Sequence, residues 1–264
     1  PLGVPKKLIN SALPVRFNKT EDLEKIFSRK NYPRILIVEG ARFNKMNANF
    51  AKKINQIKKS KNIVLIIDEI TSGWRFTNGG FYKTIGLKPD IVVYGKSIGN
   101  GYPISILVGK KNVMDYAQDT FISSSLWTES IGFAAAIKTI DIFKSKNVAK
   151  FLVQQGEYIE KNWHRISKKT NIKITTNNFK PLITFKFVEF KDPDLISTYF
   201  TQEMLKEGYL ATNSIYLSYS HKKNYIDKYM KSFEKVFIKI SQNKNNIKKM
   251  LLSNKKSADF KRLT

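Results

Sequence analysis

The sequence predicts an α/β fold followed by a smaller α+β region, on the basis of three observations. In the first half, short aliphatic runs alternate with amphipathic stretches. Each run is apolar throughout, as parallel strands are when helices cover both faces of their sheet. From Glu129 onward, long stretches with apolar residues at helical spacing replace this alternation. The chain has 264 residues, of which 42% are hydrophobic, enough for one large or two modest domains.

The first half contains four candidate strands and one clear helix. Phe50, Ile54 and Ile57 recur at helical spacing between the first two strands, which gives a β-α-β unit. We expect all four strands in one mostly parallel sheet with flanking helices. The apolar runs that predict the strands are 35–38, 64–67, 91–94 and 104–108.

The second half predicts long helices around a small sheet. A strand at 182–187 follows two asparagines and a proline, and a helix at about 193–206 comes next. Short strands are predicted at 208–210 and 215–217, and a strongly amphipathic helix at 226–240. We therefore divide the chain into three parts. These are the C-terminal part of a large α/β domain at 1–145, a small α+β domain at 146–240 and a basic tail at 241–264.

Composition excludes several classes of function. The chain has no cysteine and only two histidines, so it has no disulfide, thiolate nucleophile or cysteine-type zinc site, and we expect no metal. We also expect a cytoplasmic protein without a membrane span or export signal. The net charge of +26 comes mostly from 40 scattered lysines. Because 22 asparagines share the A-rich codons of lysine, biased codon usage explains this charge, and we do not expect a nucleic-acid partner.

Two charged residues stand where a ligand crevice is expected. Asp68 follows one buried strand and Lys96 follows another, and ligands of open α/β sheets bind outside the carboxyl ends of the strands. A partly desolvated lysine can present the neutral amine that imine formation requires, and a carboxylate suits a protonated ring nitrogen. Together these roles indicate pyridoxal 5'-phosphate (PLP) chemistry. The alternatives are an incidental lysine and a solvated acidic turn.

Two motifs extend this interpretation to a known family. Residues 65–75 read Leu-Ile-Ile-Asp-Glu-Ile-Thr-Ser-Gly-Trp-Arg, and 88–104 read Lys-Pro-Asp-Ile-Val-Val-Tyr-Gly-Lys-Ser-Ile-Gly-Asn-Gly-Tyr-Pro-Ile. Both resemble the class III PLP-dependent aminotransferases, and within them the branch similar to glutamate-1-semialdehyde aminomutase. The segment 121–129 resembles the cofactor-phosphate segment of the same family, and 219–221 together with 226–227 resembles a late signature in its small domain.

The resemblance implies a fold-type-I PLP-transferase and a set of site residues. Lys96 matches the lysine that forms a Schiff base with the cofactor and moves the substrate proton. Asp68 matches the partner of the pyridine nitrogen, and Ile70 replaces a valine that packs on one ring face. Ser125 stands where the family has a threonine that reaches the phosphate of the neighbouring subunit's cofactor. The resemblance thus implies a homodimer with sites at the interface. Glu69 and Arg75 lie in the same motif, where they either orient the loop by salt bridging or contact the ligand.

The resemblance also leaves the function partly open. Family members have a preceding segment that grips the phosphate and stacks on the ring, so we expect a truncated record, a second polypeptide or an inactive remnant. We expect an aminotransferase that moves an amino group between a small-molecule donor and a keto or aldehyde acceptor, with a sugar or polysaccharide precursor as one candidate. The alternatives are intramolecular transfer like that of glutamate-1-semialdehyde 2,1-aminomutase, and a basic non-catalytic binding module.

Overall fold

A four-stranded sheet forms the first half of the computed structural model, which describes residues 4–256. The strands lie side by side in sequence order, the first three parallel and the fourth antiparallel. They are β1 (Ile35–Glu39), β2 (Val64–Asp68), β3 (Ile91–Tyr94) and β4 (Ile106–Gly109). The predicted mostly parallel sheet is confirmed. The last strand begins two residues later than expected and runs antiparallel, because a short connection without a crossover helix leads into it.

Helices α1 (Thr20–Phe27) and α2 (Ala48–Lys61) cover one face of this sheet. The side chain of Asn47 caps α2 by accepting the backbone N–H of Phe50 at 2.7 Å. The buried face carries Leu36, Leu65 and Ile67, and the opposite face carries three exposed residues, Ile35, Ile37 and Leu107. The predicted flanking helices are present, and on the opposite face alternate side chains of β1 remain exposed.

A second, three-stranded sheet and most of the helices form the remainder. The sheet is antiparallel, in the order β5 (Ile174–Thr176), β6 (Leu182–Phe187) and β7 (Ser214–Tyr216). The helices are α3 (Lys111–Met114), α4 (Ile131–Ser145), α5 (Val148–Thr170), α6 (Pro193–Lys206), α7 (Lys223–Gln242) and α8 (Ile247–Met250). One continuous cluster of buried residues, centred on Trp163, Phe185 and Phe233, packs α5, α6 and α7 on this sheet.

Helix α6 spans the residues that the sequence predicts. Asp192 caps it by accepting the backbone N–H of Leu195 at 3.1 Å, and Pro193 takes the first helical position. Beyond its end, Gly208 has a φ of 84°, which turns the chain away. The predicted strand at 208–210 is wrong, because Tyr209 packs against the Tyr229 ring while Leu210 is exposed, and neither residue belongs to a strand.

The described part of the basic tail lies against α6. Ile247 is buried, and Lys255 and Lys256 pair with Asp192 and Asp194 at 2.7 and 3.0 Å. Residues 257–264 of the predicted tail lie outside the described residues, and the boundaries at 145 and 240 stay a prediction. Within 4–256, no helix is long and apolar enough to cross a membrane, and no group of three or more acidic or histidine side chains could hold a metal ion.

Candidate active site

Asp68 and Lys96 lie at the same end of neighbouring parallel strands. Asp68 is the last residue of β2 and is aligned with Val93 of β3. Lys96 comes two residues after the end of β3, where it begins a short 3-10 turn that continues to Ile98. Because neighbouring strands of a sheet are about 4.8 Å apart, both side chains start from one region of the molecule. This is the juxtaposition that the strand-end argument predicts.

A third charged residue joins them at this end of the sheet. Glu39 ends β1 and is aligned with Asp68. Burial raises the pKa of Glu39; the charges of Arg42 and Lys96 oppose this shift, and the charge of Asp68 adds to it. Glu39 is not among the predicted site residues, although the sequence carries a signal for it: the aliphatic run at 35–38 is followed by an acid just as the run at 64–67 is.

Asp68 receives one hydrogen bond from its own loop. Its Oδ1 accepts the backbone N–H of Ile70 at 2.9 Å, which supplies a donor of the kind expected for a carboxylate in this position. Ile70 lies next to the turn that carries Lys96, since a Cβ placed on Gly95 would lie 3.5 Å from the Ile70 side chain. Both Asp68 and Ile70 are half-buried.

Lys96 is held in an unusual backbone conformation. Its φ is 48°, in the left-handed region that costs a residue with a side chain about 1–2 kcal/mol. Its Nζ donates a hydrogen bond to Oγ1 of Thr71 at 3.0 Å. Next to it, the Ser97 hydroxyl donates to the carbonyl of Gly73 at 2.7 Å. Lys96 as a whole is exposed, because it faces an open cleft. It is therefore less desolvated than the sequence predicts.

Glu69 and Arg75 orient this loop, but not by a salt bridge. Glu69 is fully buried and accepts hydrogen bonds from the Ser72 hydroxyl and, at 2.7 Å, from the backbone N–H of Tyr82. Burial raises the pKa of Glu69, and these hydrogen bonds oppose the shift. Arg75 donates through Nε to the Thr71 carbonyl at 2.9 Å and through Nη1 to the Leu217 carbonyl at 3.4 Å. Arg75 therefore joins the loop to the end of β7.

Position 73 requires a glycine because its backbone lies very close to the Tyr94 ring and the Glu69 carbonyl. Its N–H donates to the Glu69 carbonyl at 2.8 Å. A Cβ at this position would lie 2.6 Å from the Tyr94 ring and 2.7 Å from the Glu69 carbonyl oxygen, both too short for a carbon atom. The glycine of the motif thus lets the loop after β2 pack on the end of β3.

Ser125 and Lys96 line one large cleft. The cleft has a volume of about 1280 Å³ and lies between the loop at 96–104, the segment 122–127, helix α4 and the end of β7. Trp74 and Trp127 also line it. Trp74 packs edge-on against Phe143 at 5.6 Å, whereas Trp127 and Ser125 are exposed. Asp68 and Ile70 are not among the described lining residues, so this structure does not bring all four predicted site residues to one cavity wall.

Comparison with known proteins places the chain in a family. The profile of the family Aminotransferase class-III matches residues 38–237, which include both motifs and most of the second half. The chain belongs to the class III aminotransferases.

Individual relatives agree with this assignment. A 3-aminobutyryl-CoA aminotransferase from Cloacimonas acidaminovorans is 29% identical over 70% of this chain and 47% of its own length. A glutamate-1-semialdehyde 2,1-aminomutase from Ruminiclostridium cellulolyticum is 24% identical over 90% of this chain and 60% of its own. The chain thus spans about half to three-fifths of the length of these relatives.

A solved structure has the same fold. The FumI protein of a Sphingopyxis species, in its PLP internal aldimine form, superposes with a TM-score of 0.81 at 21% identity. The superposition covers 87% of this chain and 57% of that protein. The predicted fold class is therefore confirmed.

Proposed function

We propose that this chain carries the reactive part of a PLP-dependent aminotransferase, which moves an amino group between a small-molecule amino donor and a keto or aldehyde acceptor. One observation carries the proposal: Asp68 and Lys96 lie at the same end of adjacent parallel strands, next to a large cleft. Family membership supports the same reaction.

The residues at this end of the sheet fit the cofactor chemically. A primary amine suits an aldehyde, and an acid with one oxygen hydrogen-bonded to its own loop suits a ring nitrogen. When bound, PLP supplies an aldehyde that captures amines and a protonated ring that withdraws electrons. Lys96 would hold it through Nζ and, when released, carry the substrate proton at the same atom. Asp68 would keep the ring nitrogen protonated, and Ile70 would pack on the ring.

Ser125 would act across a dimer interface. It lies in an exposed segment whose neighbours include large exposed apolar residues. They are Phe121, Ile122, Leu126, Trp127, Ile131, Phe133 and Ile137. Many large exposed apolar residues in one short segment are typical of protein interfaces. We infer a homodimer in which the Ser125 hydroxyl binds the phosphate of the neighbouring subunit's cofactor, in a cytoplasmic protein.

Trapping of the imine tests the proposal. The chain mixed with PLP should develop a visible imine band, and borohydride should fix the cofactor on the peptide that contains Lys96. Lys96→Ala should abolish both signals. Lys138→Ala is the matched control, because Lys138 is an exposed lysine that lines the same cleft. Labelling spread evenly over surface lysines, together with a steeply salt-dependent affinity for DNA, would replace the proposal with a basic binding module.

A second candidate has support from the relatives. Several aminomutases match about 90% of this chain, so intramolecular transfer within one substrate fits the same residues. The two activities differ in their need for a co-substrate. An aminotransferase requires an external keto or aldehyde acceptor to complete its cycle, and a sugar or polysaccharide precursor is one candidate for it. An aminomutase turns over with one substrate alone. Measuring turnover with and without added acceptor distinguishes them.

A further inference from the structure

Two side-chain hydrogen bonds join the turn after β2 to the turn after β3. Lys96 Nζ donates to Thr71 Oγ1 at 3.0 Å, and Ser97 Oγ donates to the Gly73 carbonyl at 2.7 Å. The first bond involves the amine to which we assign the reaction. Thr71 belongs to the motif at 65–75, but the sequence alone indicates no role for it.

Thr71 is itself rigidly placed. Its residue is 4% exposed, and its carbonyl accepts Nε of Arg75 at 2.9 Å. A threonine side chain is branched at Cβ, which restricts rotation about χ1. Its hydroxyl therefore stays near one position, whereas the Lys96 side chain has four rotatable bonds and belongs to an exposed residue.

A hydroxyl also suits the two forms of the amine. It can accept a hydrogen bond from the protonated amine, and it can donate one to the lone pair of the neutral amine. The contact can therefore persist when Lys96 gains or loses a proton. A valine of the same shape would offer neither interaction.

We propose that Thr71 is a positioning residue for Lys96: its hydroxyl holds the amine at the carboxyl end of the sheet, ready to attack an aldehyde. This inference rests on the proposed function of Lys96. It predicts that loss of the hydroxyl slows attack by the amine without weakening the initial association of PLP with the cleft.

The test is the rate of borohydride-trappable imine at Lys96, measured by peptide mass spectrometry over a range of PLP concentrations. Thr71→Val should lower the limiting rate about three- to tenfold, the range that one lost hydrogen bond gives, and leave the half-saturating PLP concentration unchanged. Thr71→Ser keeps the hydroxyl and should restore most of the rate. Thr170→Val is the matched control, because Thr170 is similarly buried but lies at the end of α5, and it should react like the unchanged chain.

Two outcomes would overturn the inference. A limiting rate in Thr71→Val equal to that of the unchanged chain would overturn it, and so would a Thr71→Ser rate as low as that of Thr71→Val. Should Thr71→Val lose its native circular dichroism, the pair Thr71→Ala and Thr71→Ser makes the same comparison of hydroxyl against none. Absence of imine at Lys96 in the unchanged chain is a different result, since it contradicts the proposed function itself.

Discussion

Glu69 in the sheet region and Glu203 in the second half are both buried, but their pKa values are shifted in opposite directions. Glu69 is 0% exposed and Glu203 is 4% exposed. The donors that meet Glu69 are a hydroxyl and a backbone N–H, and burial raises its pKa. Glu203 accepts hydrogen bonds from Lys206 at 2.6 Å and from Lys239 at 3.0 Å. Burial would raise its pKa too, but the hydrogen bonds outweigh burial and lower the pKa of Glu203 to about 2.

The difference separates a stabilising part of the chain from a part that carries the candidate site. The second half closes a core of stacked and edge-on aromatic rings and pairs its buried acid with cations. The sheet region contains Glu69, a buried acid whose hydrogen-bond donors are uncharged, together with Lys96 at positive φ and one exposed apolar sheet face. Each of these features costs stability, and the glutamate and the lysine lie at the end of the sheet that carries Asp68. We infer that the aromatic half supplies most of the chain's stability.

The largest effect is expected from truncating the aromatic core. Phe185 is fully buried and contacts the rings of Trp163, Phe200 and Phe233. Phe185→Ala should lower the free energy of unfolding by about 3–5 kcal/mol, because it removes apolar contacts and leaves a cavity. Urea unfolding followed by tryptophan fluorescence measures this cost, since Trp163 is part of the same cluster.

The matched control makes the same substitution at an exposed phenylalanine. Phe133 is 58% exposed on α4, so Phe133→Ala should change the unfolding free energy of the monomer by less than about 0.5 kcal/mol. Its effect should appear instead in sedimentation, as weaker dimer formation. Equal losses of stability from the two substitutions would contradict the assignment of the chain's stability to the buried aromatic core.

A smaller effect is expected from neutralising the paired glutamate. Glu203→Gln should lower stability at pH 7 by about 1.5–3 kcal/mol, the range for a hydrogen bond to a charged group. The folded pKa lies below the ordinary value of 4.5, so the stabilisation is complete above about pH 4.5 and disappears as the pH falls through about 2. Urea unfolding at several pH values should show the variant and the unchanged chain converging in acid. Glu189→Gln, which removes an exposed partner of Lys173, should cost less than about 1 kcal/mol, and an equal cost would contradict the assignment.

The sequence predicts those parts of the fold and site that depend on short stretches of chain. Helix α6 is predicted correctly because Asp192, Pro193 and Gly208 mark its ends locally. Asp68 and Lys96 are predicted to lie together because each follows a strand and parallel strands share an end. The direction of β4 was missed because it depends on how the connection after Lys96 turns. The contact of Thr71 with Lys96 was missed because it depends on a positive φ that sequence patterns do not specify for lysine.

The smallest expected effect on stability is that of replacing Glu69. Its pKa is raised above the ordinary value of 4.5, so the folded chain holds this proton more tightly than the unfolded chain does. Stability therefore falls as the pH rises from about 4.5 towards the folded pKa and is level above it. Glutamine does not titrate but can still accept the Tyr82 N–H. The stability of Glu69→Gln relative to the unchanged chain should therefore increase between pH 4 and pH 8 in urea unfolding. A relative stability that decreases over this range would show that Glu69 is ionised and paired in the folded chain, as Glu203 is, and would remove the contrast between the two regions.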